Sequence, residues 1–266
     1  MGQVHVSSAH CARRELRSVE LLPQDGFELC IVQSGSFALS SSRHDVLVDP
    51  VTSVFGAPTD EGVQVAHPYG SGEEYTVIVL GAQVLDQVAG GTLGTPAVAH
   101  LGAAELRLHL QLLGYLRLDE QAAVEELAVV LFSRALAQSE PARVRSGQPS
   151  VRRRAQLVDD ARAIVAADPS IESIVTVAYA LNCSSYHLSR TFRAATGMTL
   201  SAYRRQVRVN NALNLLAGGG YSLAEVAART GFADHGHLTR SVRAVLGATP
   251  SAVRRELHPP TPLKVD

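Results

Sequence analysis

Cysteine is scarce in this chain. Only Cys11, Cys30 and Cys183 occur in 266 residues, and no two of them form a CxxC pair. That argues against a disulfide framework and against a structural zinc site. Glycine and proline, at 21 and 12 residues, are too few for a collagen-like or low-complexity chain. Every apolar run breaks well short of the ~18 residues that a membrane span needs. The first 16 residues hold no apolar stretch behind a basic start, so no secretory signal is expected. These absences predict a chain of the reducing cytoplasm with no membrane partner. A composition of 46% hydrophobic and 18% charged residues allows a packed core. The length suits one large domain or two ordinary ones.

The net charge of −1 conceals an asymmetry. Residues 1–149 carry 9 basic and 17 acidic side chains, whereas residues 150–266 carry 15 and 8. An acidic half joined to a basic half points to nucleic acid as the partner of the basic half.

The pattern of residues divides the chain. Residues 1–100 read as β, with strand patterns running to about Gly94. Phe27–Gln33, Ser36–Ser40, Val46–Val48 and Tyr75–Leu80 are short and rich in β-branched or aromatic residues. Turn signals separate them at Ser34-Gly35, Asp49-Pro50, Ala57-Pro58, His67-Pro68 and Gly70 to Gly72. Many short strands predict a small barrel or sandwich. Residues 101–138 read as a helical pair. Leu106, Leu110, Leu113 and Leu116 recur at helical spacing, as do Val124, Leu127, Val130, Leu131 and Leu136. The pair is expected to cap the strands or to form a dimer interface. Residues 139–150, rich in Ser, Pro, Gly and Arg, read as a linker. Residues 151–258 are helical throughout by pattern.

This last part contains a repeat. Leu188 to Arg205 and Leu238 to Arg255 share ten identities in 18 positions at a shift of 50. Upstream, at a shift of 49, Ile174, Val177, Ala178 and Asn182 meet Leu223, Val226, Ala227 and Gly231. Each copy opens with a short helix, Glu172 to Ala180 or Leu223 to Arg229. Asn182 and Gly231 then stand where a left-handed turn is needed. A second helix starts at a capping residue, Ser184 or Ser185 in one copy and Asp234 in the other, and ends at Gly197 or Gly247. Ala178 and Ala227 allow a close helix crossing. Helix, tight turn and capped second helix make a helix-turn-helix, in units 172–194 and 222–246.

The second helix of each unit has a buried and a polar face. Leu188 and Phe192, or Leu238 and Val242, face inward. Tyr186, Ser189, Arg190 and Arg193 in one copy, and His235, His237, Thr239, Arg240 and Arg243 in the other, offer groups that reach base edges or phosphates. A solvated polar helix face would look similar in one copy; two copies in a basic domain favour double-stranded DNA.

Residues 208–255 resemble the AraC/XylS family signature. The resemblance rests on Arg208 to Leu216, on Ser222 to Arg240 with its Glu225, Ala227, Gly231, Phe232 and Asp234, and on Gly247 to Ser251. It implies two helix-turn-helix subdomains joined by a long helix, Leu200 to Ala217. Their recognition helices would enter successive major grooves about 34 Å apart. It also implies that Tyr186, Ser189 and Arg190 of the first recognition helix, and His237 and Arg240 of the second, contact bases. RNA polymerase is a further candidate partner. Leu238, Val242 and Leu246 depart from the phenylalanine often found there. Gly236 removes a side chain that could read a base, and Gly218 to Gly220 make a loose loop.

The first 100 residues resemble the cupin-like sensor and dimerisation domain of the same family, through Gln33 to Ser36, Val48 to Pro50 and Val63 to Pro68. The fold class implied is α+β and multidomain: a cupin-like β-barrel with a helical pair, then an all-α double helix-turn-helix. A homodimer and a small-molecule effector of unknown identity are implied. Phe27, Cys30, Phe37, Phe55, His67 and Tyr75 are candidates for the effector pocket. Cupins can hold metals, but His44 and His67 form no HxH pair, and the spacing of His10, Cys11 and Cys30 carries no information. No metal and no cofactor are expected. There is no GxSxG, no GxGxxG and no P-loop, and Ser184-Ser185 beside His187 is a helix start rather than a triad, so no enzyme is expected. The expected function is sequence-specific DNA-binding transcription regulation. The alternative is a cupin-type small-molecule or metal-binding protein whose helical domain mediates protein contacts.

Overall fold

The computed structural model describes residues 4–11, 19–21, 26–56, 63–67, 72–89, 96–144, 146–171 and 173–257. The turn signals at 57–58, Pro68 and 70–71, half of the segment read for a secretory signal, and Glu172 lie outside the described residues.

Among the described residues, ten strands and ten helices follow in order. They are β1 (Val4–Cys11), β2 (Val19–Leu21), β3 (Phe27–Ser34), β4 (Phe37–Ser40), β5 (Asp45–Val48), β6 (Ser53–Gly56), β7 (Val63–Ala66), β8 (Glu73–Leu80), α1 (Ala82–Ala89), β9 (Ala97–Ala99), α2 (Ala103–Arg117), α3 (Gln121–Ala137) and β10 (Glu140–Pro141). The helical region continues with α4 (Pro149–Ala167), α5 (Ile174–Ala180), α6 (Ser185–Thr196), α7 (Leu200–Gly218), α8 (Leu223–Arg229), α9 (His235–Leu246) and α10 (Pro250–Leu257). None of the described helices is long and apolar enough to cross a membrane.

The strands pair antiparallel in two sheets, ordered β1-β8-β3-β6-β9-β10 and β2-β7-β4-β5. Side-chain alternation gives the larger sheet two apolar faces. Phe27, Leu29, Ile31, Phe55, Ile78 and Leu80 pack beneath α2 and α3, where Phe55 meets Phe132 edge-on at 5.1 Å. Cys30, Val32, Val54 and Tyr75 face the other way, against Phe37, Val48 and Val65 of the smaller sheet. Gly35 makes the sharp turn between β3 and β4. Its φ is +76°, and a Cβ there would stand 2.5 Å from the Gly72 carbonyl oxygen.

The helical pair does more than cap strands. The cluster beneath it runs on through Val209, Ala212, Leu213 and Leu216 of α7 into Val226, Phe232, Leu238, Val242 and Leu246. One apolar core thus joins the sheet, the pair and the second repeat. Leu106, Leu110, Leu113, Val124 and Leu131 are buried inside this chain, so those side chains are not free to form a dimer interface. The first repeat has its own cluster, built on Val158, Ala161, Val177, Leu188, Phe192 and Tyr203.

Two further features differ from the sequence reading. Residues 139–150 are not a loose tether. Within them β10 pairs with β9, Ala142 donates its N–H to the Pro96 carbonyl at 2.8 Å, and Val144 bridges to His44. Helix α4 already begins at Pro149, where a missing N–H costs nothing in a first turn. Helix α1 falls inside the stretch read as strands; eight residues are too few to show a clear helical period.

Candidate nucleic-acid interface

The two repeats fold alike down to single hydrogen bonds. Asn182 and Gly231 take positive φ, +50° and +75°. Ser184 caps α6 by accepting from the His187 N–H at 3.2 Å, and Asp234 caps α9 through the His237 N–H at 2.6 Å. Gly197 and Gly247 close these helices in the left-handed conformation. Arg204 donates to the Ile171 carbonyl and Arg254 to the Tyr221 carbonyl, both at 2.6 Å. These pairs are fifty residues apart at both ends, so this arginine recurs because it ties the following helix to the loop entering each unit. Helix α8 adds a capping box, with Ser222 and Glu225 exchanging bonds. Those bonds hold the Glu225 carboxyl below its ordinary pKa. Gly219 and Gly220, both with positive φ, end α7.

Leu188 and Phe192, and Leu238 and Val242, bury the inner faces of α6 and α9. On the outer faces Tyr186, Ser189, Arg190, Arg193, His235, Arg240 and Arg243 are exposed. Arg190 and Arg193 occupy the same places on α6 as Arg240 and Arg243 on α9. Tyr186, 75% exposed, is matched by Gly236. Two of the expected contact residues are partly engaged within the protein. His237 is half-buried and stacks edge-on against Phe232 at 5.2 Å. Thr239 donates its hydroxyl to the His235 carbonyl one turn back. Asp234 lies beside Arg240, and its pKa is held down first by the His237 N–H and then by that guanidinium among other groups.

The arginine-rich start of α4, Arg152, Arg153 and Arg154, is also exposed. A cleft of about 940 Å³ separates α4 and α6 from the strands and is lined by Arg152, Arg154, His187 and Arg190 together with Asp45 and Glu140.

A contact between the two halves was not apparent from sequence. Asp49, in the turn after β5, is 1% exposed. Its Oδ2 accepts from Arg162 Nε at 2.8 Å and from the Tyr203 hydroxyl at 2.6 Å, and the Arg162 Nη2 lies 2.8 Å away as an ion pair. Its Oδ1 accepts from the Val51 and Thr52 N–H groups. Burial works against the Arg162 charge, but Asp49 and its neighbours more than offset this and raise the pKa. The Asp49-Pro50 signal identified a turn; nothing near it marked a carboxylate that reaches α4 and α7.

The residues proposed for an effector pocket separate into two groups. Cys30, Phe37 and Tyr75 meet between the sheets, with Phe37 and Tyr75 rings 6.3 Å apart. Buried His67 lies beside Glu73. Phe27 and Phe55 lie on the opposite face, beneath α2 and α3, because a one-residue step along a strand reverses the side chain. Burial raises the Cys30 thiol pKa, helped by the nearby carboxylates of Glu28 and Glu73.

Residues 177–256 match the model of a family described as a helix-turn-helix domain. No curated protein matches the chain. Similar solved structures include ToxT from Vibrio cholerae strain SCE256 with unsaturated fatty acid bound, at 10% identity over 97% of this chain and 98% of that one, TM-score 0.40. A transcriptional regulator from Chromobacterium violaceum, described as having an AraC-type DNA-binding domain, is 24% identical over 40% of this chain and 96% of that one, TM-score 0.38. A probable AraC family transcriptional regulator from Rhodopseudomonas palustris CGA009 is 23% identical over 39% and 99%, TM-score 0.37. At TM-scores this low, the assignment rests on the matched domain and its geometry. Residues 177–256 form a helix-turn-helix domain.

Proposed function

We propose that α6 and α9 read one DNA site together, in successive major grooves, and that residues 1–138 govern when they do so. The observation that carries this reading is the equivalence of the two outer faces, Arg190 and Arg193 on α6 with Arg240 and Arg243 on α9. Arginine can take a guanine edge by two hydrogen bonds or neutralise a phosphate. Tyr186, Ser189, His235, His237 and Thr239 supply the remaining contacts. Tyr186 has no counterpart on α9, so α6 reads more of the sequence than α9. Arg152 to Arg154 add phosphate contacts, and RNA polymerase is a further partner. A homodimer would have to use surfaces other than the buried apolar side chains of α2 and α3. The working site is the cytoplasm, and the chain has no catalytic role.

The test is a salt series of DNA binding by the full chain, on its own upstream region and on a scrambled fragment of equal length. Preference for the upstream DNA, with affinity falling steeply as salt rises, is the expected result. Equal affinity for both fragments would remove sequence reading there, and no binding at low salt would remove the DNA role.

A further inference from the structure

Three side chains from distant parts of the N-terminal sequence converge between the sheets. Cys11 ends β1 and stands opposite Glu73, the first residue of β8, in the antiparallel ladder. His67 directly follows β7 and reaches the same place from the other sheet. The Cys11 Sγ, a His67 ring nitrogen and a Glu73 carboxylate oxygen all lie within 4.8 Å of one another. His67 and Glu73 are 5% and 2% exposed.

The geometry between the last two is unusual for an ion pair. His67 Nδ1 and Glu73 Oε2 approach to 3.1 Å. Among the described residues neither atom has a hydrogen-bond partner, although both are fully buried. Two buried polar atoms this close, yet misaligned for a bond, normally carry an unfavourable desolvation cost. Their spacing suits a common third centre. Two ligands about 2.0–2.1 Å from one ion, at the tetrahedral angle, stand about 3.3 Å apart.

We propose that Cys11, His67 and Glu73 form a binding site for a divalent transition-metal ion of the zinc type. One thiolate, one imidazole and one carboxylate make three protein ligands and leave the fourth position to water or a small ligand. The sulfur and nitrogen donors set the site apart from calcium and magnesium sites, which take oxygen. The ion would join β1 and β8 of one sheet to the end of β7 in the other. Spacings of 56 and 6 residues match no short metal motif, so the sequence did not disclose the set. The site stands independently of how the helices read DNA.

The test uses the full chain, stripped with a chelator and titrated with cobalt(II) as a spectroscopic stand-in and then with zinc(II). One cobalt per chain is expected, with tetrahedral visible bands and a thiolate-to-metal charge-transfer band that zinc abolishes. Cys11→Ser should remove the charge-transfer band, and Glu73→Gln should weaken binding by at least about tenfold. Cys183→Ser, in the other half of the chain, should bind as the parent does. Circular dichroism of each variant checks the fold, and Cys11→Ser, on the edge strand β1, disturbs it least. Absence of the charge-transfer band in the parent chain, or equal binding by folded Cys11→Ser and Glu73→Gln, would overturn the proposal.

Discussion

The Tyr203 hydroxyl donates a 2.6 Å hydrogen bond to Oδ2 of Asp49 across 154 residues of sequence. The same oxygen receives Arg162, so one buried carboxylate holds α4 and α7 against the turn after β5. Removing the carboxylate would take away the more buried of the two acidic partners of the Arg162 guanidinium, which is only 13% exposed, and leave Asp159 at 3.2 Å. Asp49→Ala is expected to destabilise the protein by about 3–5 kcal/mol, as for other broken buried ion pairs. Tyr203→Phe removes one bond to a charged acceptor and should cost about 1.5–3 kcal/mol. Urea unfolding of both variants and of the double variant measures the coupling. Strictly additive losses would show that the two contacts act separately.

A second expectation concerns pH. His109 of α2 is buried, with Nε2 2.8 Å from the Thr76 hydroxyl. Desolvation lowers its pKa from 6.5 to about 4. The unfolded chain takes up this proton near pH 6.5, while the folded chain resists until about pH 4. Stability is therefore lost as the pH falls through that window, by about 3 kcal/mol in all. His109→Gln keeps a polar partner for Thr76 and should flatten the curve between those limits. An unchanged slope in urea titrations at several pH values would assign the loss to other groups.

Arg190→Ala and Arg240→Ala test base reading. Each should weaken binding to the specific site by about 1–3 kcal/mol while changing binding to random DNA much less. An equal loss on both DNAs, with a shallower salt dependence, would assign that arginine to a phosphate.

Asp234→Asn separates helix capping from charge. Aspartate and asparagine cap nearly equally well, so stability should move by only a few tenths of a kcal/mol. The substitution removes a carboxylate beside Arg240 at the exposed start of α9. Affinity should rise, most at low salt, where exposed charges are least screened. Filter binding at two salt concentrations measures this, and weaker binding would show that the carboxylate positions Arg240 rather than restraining it.

The second half of the chain was far more legible than the first. Its signals are local: Ser184, Asp234, Gly197 and Gly247 act within one turn of their own helices, and duplication stated each of them twice. The N-terminal site depends on strand register, which decides the face a residue occupies. Phe27 and Cys30 are three residues apart and look equally suitable for a pocket, yet one lies under the helices and the other between the sheets. Cys11, His67 and Glu73 come together through two different sheets, and no spacing along the chain encodes that meeting.

The core that runs from Leu29 through α2 and α3 to Leu238 and Val242 also bears on how the molecule can be dissected. A cut near residue 150 would lay bare one side of the second repeat, including Phe232 and Leu246. Such a fragment should self-associate or bind DNA chiefly through its first repeat. The second repeat has, in effect, part of its foundation in the other half of the chain.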